Sequence, residues 1–299
     1  MSSLVQIKEG FGHKKMIGNL SKLKSTYPEM EIINIGKSVL GRSIPAVRLG
    51  IGPRQIHYNG AFHANEWITT LFLMFFIENY LQSNKENGKI GTYYIPQLFR
   101  ETSLWLVPMV NPDGVELVQN GLSVDSNPFY RDVLQANGGS TNFRRWKANI
   151  RGVDLNDQFP AHWQKEFNRR ETKGPAPMNY PGSRPLSEPE AQAMANFTRE
   201  HDFRLVMAFH TQGGEIYWGY EKMEPPESAE IVKKLQKVSG YRAIRYVESN
   251  AGYKDWFIQD WRRPGFTVEC GYGVNPLPLS QFESIWPKVR DIMLTGLTV

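Results

Sequence analysis

The chain has a single cysteine in 299 residues, Cys270. One thiol excludes an internal disulfide framework and any cysteine-based zinc knuckle, and it fits a reducing compartment. Long apolar runs are missing as well. No segment could span a bilayer, and the opening MSSLVQIKEGFGHKKMIGNL lacks an apolar stretch of signal-peptide length. The expected location is therefore the cytoplasm, without a membrane partner. Blocks of one charge are also absent: 35 Lys and Arg stand against 30 Asp and Glu, and the basic residues come as pairs such as Arg144–Arg145 and Lys233–Lys234. Nucleic-acid binding calls for a clustered basic face or a recognisable module, and neither occurs. No repeat or low-complexity linker divides the sequence, so residues 1–299 are expected to form one domain. Nothing in the sequence fixes an oligomeric state.

What is present reads as a globular protein, with 40% hydrophobic and 22% charged residues. MEIINIGKSV and SIPAVRLG are β-branched segments joined at Leu40-Gly41-Arg42, a hairpin pattern. RQIHYNGAF and SLWLVPMVNPDG read as buried strands, the second ending in the turn pair Asp113-Gly114. NEWITTLFLMFFIENYLQ is apolar all round, as a helix buried in a large core would be. Residues 121–185 are rich in Gly, Pro, Asn and Arg and predict long loops, which at that length are more often functional than idle. Ser187 with Glu190 forms a capping-box pattern opening a helix to about residue 200. A strand, FRLVMAFH, ends in His210. Helices near 226–239 and 253–262 flank a strand near 241–247, and a further strand is GFTVECG. Ser280 with Glu283 should cap a last helix, with Pro287 early in it or kinking it. Strands alternating with helices indicate an α/β fold with a central, mostly parallel sheet and helices on both faces.

In open α/β sheets, sites form at the carboxyl ends of strands. Three strands here end in candidate chemistry: His63 and Glu66, then His210, then Glu269. Two histidines and a carboxylate are the ligand set of a catalytic zinc with one position left open. The remaining carboxylate, Glu269, could carry a proton from water to a leaving amine. Taken singly, each residue has an ordinary structural reading, and Cys270 reads as core filler. His13, His57, His162 and His201 fall outside the converging strand ends and read as structural or surface residues.

The block RRWKANIRGVDLNDQFP turns these pieces into a pattern. With HANE, GVDLN, FHTQ and FTVE in that order, the chain resembles the zinc carboxypeptidase family over about residues 15–298. The resemblance implies one zinc held by His63, Glu66 and His210, and Glu269 as general acid/base. It implies that Asp154 orients His63 and that Asn156 contacts substrate. Lys147 falls where the family carries an arginine that stabilises the oxyanion, with Arg145 or Arg151 as substitutes. Tyr246 and Tyr253 are the candidates for the family's mobile tyrosine. One departure stands out: the residue after Asn156 is Asp157, where the family has an arginine that clamps a free carboxylate. An aspartate would repel that carboxylate and accept an ammonium, unless it pairs with a nearby arginine such as Arg151. With HTQGGEIYWGY and NAGYKDWF, this makes the chain similar to the bacterial γ-D-glutamyl-L-diamino acid endopeptidases, whose partner is a murein peptide. An ordinary metallocarboxypeptidase and a catalytically dead peptide-binding protein are the alternatives.

Overall fold

The apolar runs and turn signals assemble into a single mixed sheet in a computed structural model that describes residues 3–122 and 127–299. The strands are β1 Glu31–Lys37, β2 Ser43–Leu49, β3 Arg54–Gly60, β4 Lys89–Ile90, β5 Tyr93–Tyr94, β6 Thr102–Val107, β7 Phe203–His210, β8 Glu215–Tyr217, β9 Arg242–Ile244 and β10 Gly265–Glu269. The helices are α1 His13–Thr26, α2 Ile68–Lys85, α3 Ile95–Glu101, α4 Pro112–Asn120 and α5 Tyr130–Ala136, followed by α6 Trp163–Arg169, α7 Pro189–Arg199, α8 Glu227–Ser239, α9 Tyr253–Trp261 and α10 Phe282–Gly296. The sheet order is β1-β2-β6-β3-β7-β10-β8-β9, while β4 and β5 form a separate hairpin. The central strands β6, β3, β7 and β10 run parallel, and antiparallel strands flank them.

Burial explains the layering. Helices α1, α2, α8 and α10 cover one face with a core that includes Leu71, Phe72, Met207 and Val268. On the other face, α7 and α9 pack over Phe62, Val206, Ala208 and Trp256. Each fully buried side chain of this size contributes about 1.5–3 kcal/mol, so the all-round burial of α2 is a large share of the core. A third cluster, around Phe143, Trp146 and Ile150, gives the loop region its own apolar anchor. No described helix is long and apolar enough to cross a membrane.

Several local expectations need correction. Asp113-Gly114 is not a turn that ends a strand. It lies in the first turn of α4, where Pro112 leads and the Asn111 side chain accepts from Gly114 N. The 121–185 stretch is mostly irregular but contains α5 and α6, and its residues 123–126 lie outside the described residues. Neither capping box forms. Ser187 Oγ donates to Gln158 and Glu188, Glu188 occupies the cap of α7, and Gln281 rather than Ser280 precedes α10. At Ser187 the long-range bond to Gln158 takes the hydroxyl that the capping box would have used.

Glu190 is spent on such a long-range contact: its carboxylate accepts from Val39 N at 3.1 Å in the core. Burial pushes this carboxyl from 4.5 up to about 8. The folded chain then holds a proton that the unfolded chain has lost, so this group's contribution to stability is full below pH 4.5 and falls as pH rises through 8. Glu190→Gln is expected to raise the thermal midpoint at pH 9, by about 2–4 °C per kcal/mol regained, and to change it far less at pH 5. Melting curves at the two pH values check this, and equal shifts at both would contradict it.

Candidate metal centre

The site is built where β3, β7 and β10 end side by side. Gly60 pairs with Phe209, and Glu269 pairs with His210. The chain leaves β3 through Ala61, with a left-handed φ of 50°, and Ala61 N donates to Thr69 Oγ1. A single 3-10 turn, Ala64–Glu66, then sets Glu66 beside His63. Asn111 fixes this corner from below, donating to the carbonyls of Phe62 and Ala148.

The GVDLN block supplies the opposite wall. Asn149 Oδ1 accepts from Arg151 N and Val153 N and folds the segment back on itself. Gly152 is required at the bend: its φ is +72°, and an added Cβ would lie 2.7 Å from Ala176 N. This turn aims the buried Asp154 at His63. Asp154 Oδ1 accepts from His63 Nε2 at 3.2 Å, and Oδ2 takes Lys147 Nζ at 3.0 Å. The positive charges of Lys147 and His63 hold Asp154 well below the usual carboxylate range against the cost of burial.

With Nε2 engaged by Asp154, a neutral His63 ring carries its lone pair on Nδ1. That nitrogen lies 2.8 Å from Glu66 Oε1 and 3.0 Å from His210 Nδ1, and His210 Nδ1 lies 2.9 Å from Glu66 Oε2. All three residues are buried, with one ligand atom of each within 4.8 Å of the others. Electron-rich atoms this close in a dry site need a cation between them. Without a metal, burial disfavours a charge on His63, yet Glu66 outweighs it and lifts the imidazole to about 9. The residues fit a divalent ion, with two imidazoles and one carboxylate as donors.

Glu269 stands next to this set, half-buried at the end of β10 and carrying no ligand atom in the cluster. Burial first, then the Glu66 carboxylate, push its carboxyl up to about 8. A cation bound at Glu66 would offset that repulsion. Cys270 is fully buried behind it, as expected of core filler. His13, His57 and His201 each donate to a backbone carbonyl, and His162 meets the Tyr220 hydroxyl, so all four are structural.

Two expected substrate residues are placed otherwise. Tyr253 is fully buried at the start of α9, its hydroxyl paired with Thr198 and its ring against Phe62 and Phe159. It cannot swing over the site. Asp157 is buried and bound to Arg170 at 2.6 Å, not to Arg151, which pairs with Glu188 at 3.7 Å. Its carboxylate is thus committed within the protein instead of facing an incoming ammonium. By contrast Tyr246 is exposed, with its hydroxyl on Glu224. Arg145 is exposed and lines a cavity that reaches Asn275. Asn156 accepts from Tyr253 N and ties the GVDLN loop to α9.

Sequence reading missed the residues that hold Glu66. Asn275 Nδ2 donates to Glu66 Oε1 at 3.3 Å and to the Thr211 carbonyl at 2.8 Å, and Thr211 N donates to Glu66 Oε2. Asn275 sits in a loop with no periodicity, and only its distance to Glu66 reveals it. Asn275→Ala is expected to weaken metal affinity about 10- to 100-fold, the usual cost of losing a partner that orients a ligand. Titration with a competing chelator measures this, and unchanged affinity would remove Asn275 from the site.

A family model described as zinc carboxypeptidase matches residues 16–287. The chain is 50% identical over 295 residues, 98% of its own length and 74% of the relative's, to gamma-D-glutamyl-L-diamino acid endopeptidase 1 of Lysinibacillus sphaericus. Among solved structures, thrombin activatable fibrinolysis inhibitor superposes with a TM-score of 0.74 at 18% identity, covering 100% of this chain and 79% of that one. The murein-tripeptide amidase of Escherichia coli O157 superposes at 0.55 and 19% identity, covering 88% and 91%. Both structural likenesses establish the fold.

Proposed function

The chain belongs to the zinc carboxypeptidase family, and from that premise we infer that it is a zinc metallopeptidase cutting the bond between γ-D-glutamate and diaminopimelate in murein peptides. The observation that carries this reading is the half-identity to the Lysinibacillus endopeptidase across nearly the whole chain. The His63, Glu66 and His210 donors would hold one zinc per chain. When bound there, zinc polarises a carbonyl and lowers the pKa of water. The chain's own groups then handle charge and protons. Glu269, beside His210 at the end of β10, accepts the proton of the attacking water and returns it to the departing amine. Lys147 keeps its charge because Asp154, Asp157 and Glu66 outweigh burial. From the Asp154 wall it supplies positive charge to the oxyanion, as a point charge rather than a planar fork. Asn156 and Arg145 border the substrate, and Tyr246, exposed with its hydroxyl on Glu224, is the tyrosine that would cover it.

The test is mass spectrometry of L-Ala-γ-D-Glu-diaminopimelate after incubation with the zinc-loaded protein, beside a hippuryl-type substrate. Release of free diaminopimelate from the first and little turnover of the second is expected. The reverse order would make the protein an ordinary carboxypeptidase, and zinc bound without turnover of either would make it a peptide-binding protein.

A further inference from the structure

Lysines that are dispersed in the sequence meet at one place in the fold, away from the metal centre. A cavity of about 320 Å³ lies between residues 4–11 and α1, with Lys8 and Phe11 on one wall and Lys15, Gly18, Asn19 and Lys22 on the other. The second wall is one helix face. Its four residues recur at spacings of three and four, apart from the face that buries Met16, Leu20 and Leu23. The first wall is held from behind. Glu78 on α2 accepts from Ser3 Oγ at 2.8 Å, Leu4 N at 2.6 Å and Val5 N at 2.9 Å, and Phe11 is anchored in the core. The cavity is therefore formed before anything enters it.

Its electrostatics are one-sided. No Asp or Glu lines it. Among the described residues only one of its three ammoniums has a partner, Lys15 Nζ on the Glu9 carbonyl at 3.3 Å. Elsewhere on the surface lysines are matched, as Lys165 is by Glu221 at 3.1 Å and Lys233 by Glu230 at 2.7 Å. Helix α1 contains no acidic residue, and Lys14 and Lys15 stand in its first turn, the end where the helix dipole disfavours a cation. Gly18 is a second, independent feature. Glycine weakens a helix interior relative to alanine. Its φ here is not left-handed, and an added Cβ would meet no atom within 4 Å, so neither backbone conformation nor packing calls for it. What it leaves is a notch between Lys15, one turn before, and Lys22, one turn after.

We propose that this cavity binds a phosphate monoester, with the dianion in the Gly18 notch among Lys8, Lys15 and Lys22 and the organic part against Leu4 and Phe11. A doubly charged group offsets most of the repulsion among three ammoniums. An ammonium is a compact point charge that suits a tetrahedral phosphate, whereas a planar carboxylate is best met by the guanidinium fork. This protein uses that fork elsewhere, where Arg204 grips Glu227 through two bonds of 2.7 Å, and places no arginine in the cavity. Asn19 adds a carboxamide donor, and Leu4 and Phe11 supply an apolar surface that bare phosphate would leave unused. The volume falls at the lower end of the range of small-molecule sites, about 300–1,000 Å³.

The experiment is a titration of the full, zinc-loaded chain with phenyl phosphate, followed through the amide resonances of α1. Saturable shifts centred on Gly18 and Asn19 are expected, with a Kd about tenfold or more below that for inorganic phosphate, because only the ester covers the apolar wall. Lys15→Gln combined with Lys22→Gln should raise the Kd about 10- to 100-fold, the scale of lost charged hydrogen bonds, with zinc content unchanged. Gly18→Leu should fill the notch and abolish the shifts. If Gly18→Leu does not fold, the lysine variant decides alone. Absence of saturation, shifts confined to the metal centre, or an unchanged Kd in the lysine variant overturns the proposal. Inorganic phosphate bound as tightly as phenyl phosphate overturns the assignment to an ester. Capture of the chain by phosphatidylglycerol vesicles through the same lysines, without binding of phenyl phosphate, would make this face a membrane contact and overturn it as well.

Discussion

Glu269→Gln is expected to keep its zinc and to lose turnover by a factor of about 100 to 10,000. The carboxyl stands at the end of β10, beside His210 in register, but contributes no atom to the ligand cluster. Glutamine keeps the size and the hydrogen-bonding reach of glutamate and removes only its capacity to accept and return a proton. The loss should therefore fall on kcat, with metal content near one per chain by elemental analysis. The pH profile carries a second signature. A base must be ionised, so activity of the unaltered protein rises with pH through the Glu269 pKa, and that limb should vanish in the variant. In the metal-free fold, burial and Glu66 place this pKa at about 8, and zinc bound at Glu66 should draw it lower. Loss of metal in Glu269→Gln would make Glu269 a ligand and reverse the division of roles.

His210→Ala should abolish both metal binding and activity. His210 provides one of three donors in a buried cluster, and its Nδ1 lies within 3.0 Å of both other ligands. Removing it leaves His63 and Glu66, two donors where a catalytic zinc needs three. The ring also stacks on Phe62, with centroids 6.1 Å apart and planes at 5°. Some loss of stability is therefore expected alongside the metal, and circular dichroism should confirm that the sheet persists. Zinc binding releases protons where ligands hold them, and His63, lifted to about 9 without metal, is such a ligand. Calorimetry of zinc uptake in buffers of different ionisation enthalpy should register that release in the unaltered protein and no binding in the variant. Activity that survives both His210→Ala and strong chelation would remove the metal from the mechanism.

The sequence by itself pointed to the strand-end residues His63, Glu66, His210 and Glu269, though not to Asn275 and Thr211, which hold Glu66. Strand ends are readable because buried parallel strands appear as short apolar runs, and His63, His210 and Glu269 each lie at or just beyond such a run. Asp154 was legible only through the resemblance of the GVDLN block, and the structure supplies the turn at Asn149 and Gly152 that places it. Only the tertiary structure decided which charges meet. Asp157 has several arginines within reach along the chain, and α6 rather than the nearer Arg151 delivers its partner, Arg170. Tyr253 has the chemistry of a mobile cover but falls under the second core cluster. Asn275 reaches Glu66 across more than two hundred residues. Local pattern fixes the elements and the residues at their ends, because backbone sterics and apolar periodicity act over a few residues. Polar pairing is fixed by burial, because a charge withdrawn from water takes whichever partner the fold brings within hydrogen-bond reach, however distant in the chain.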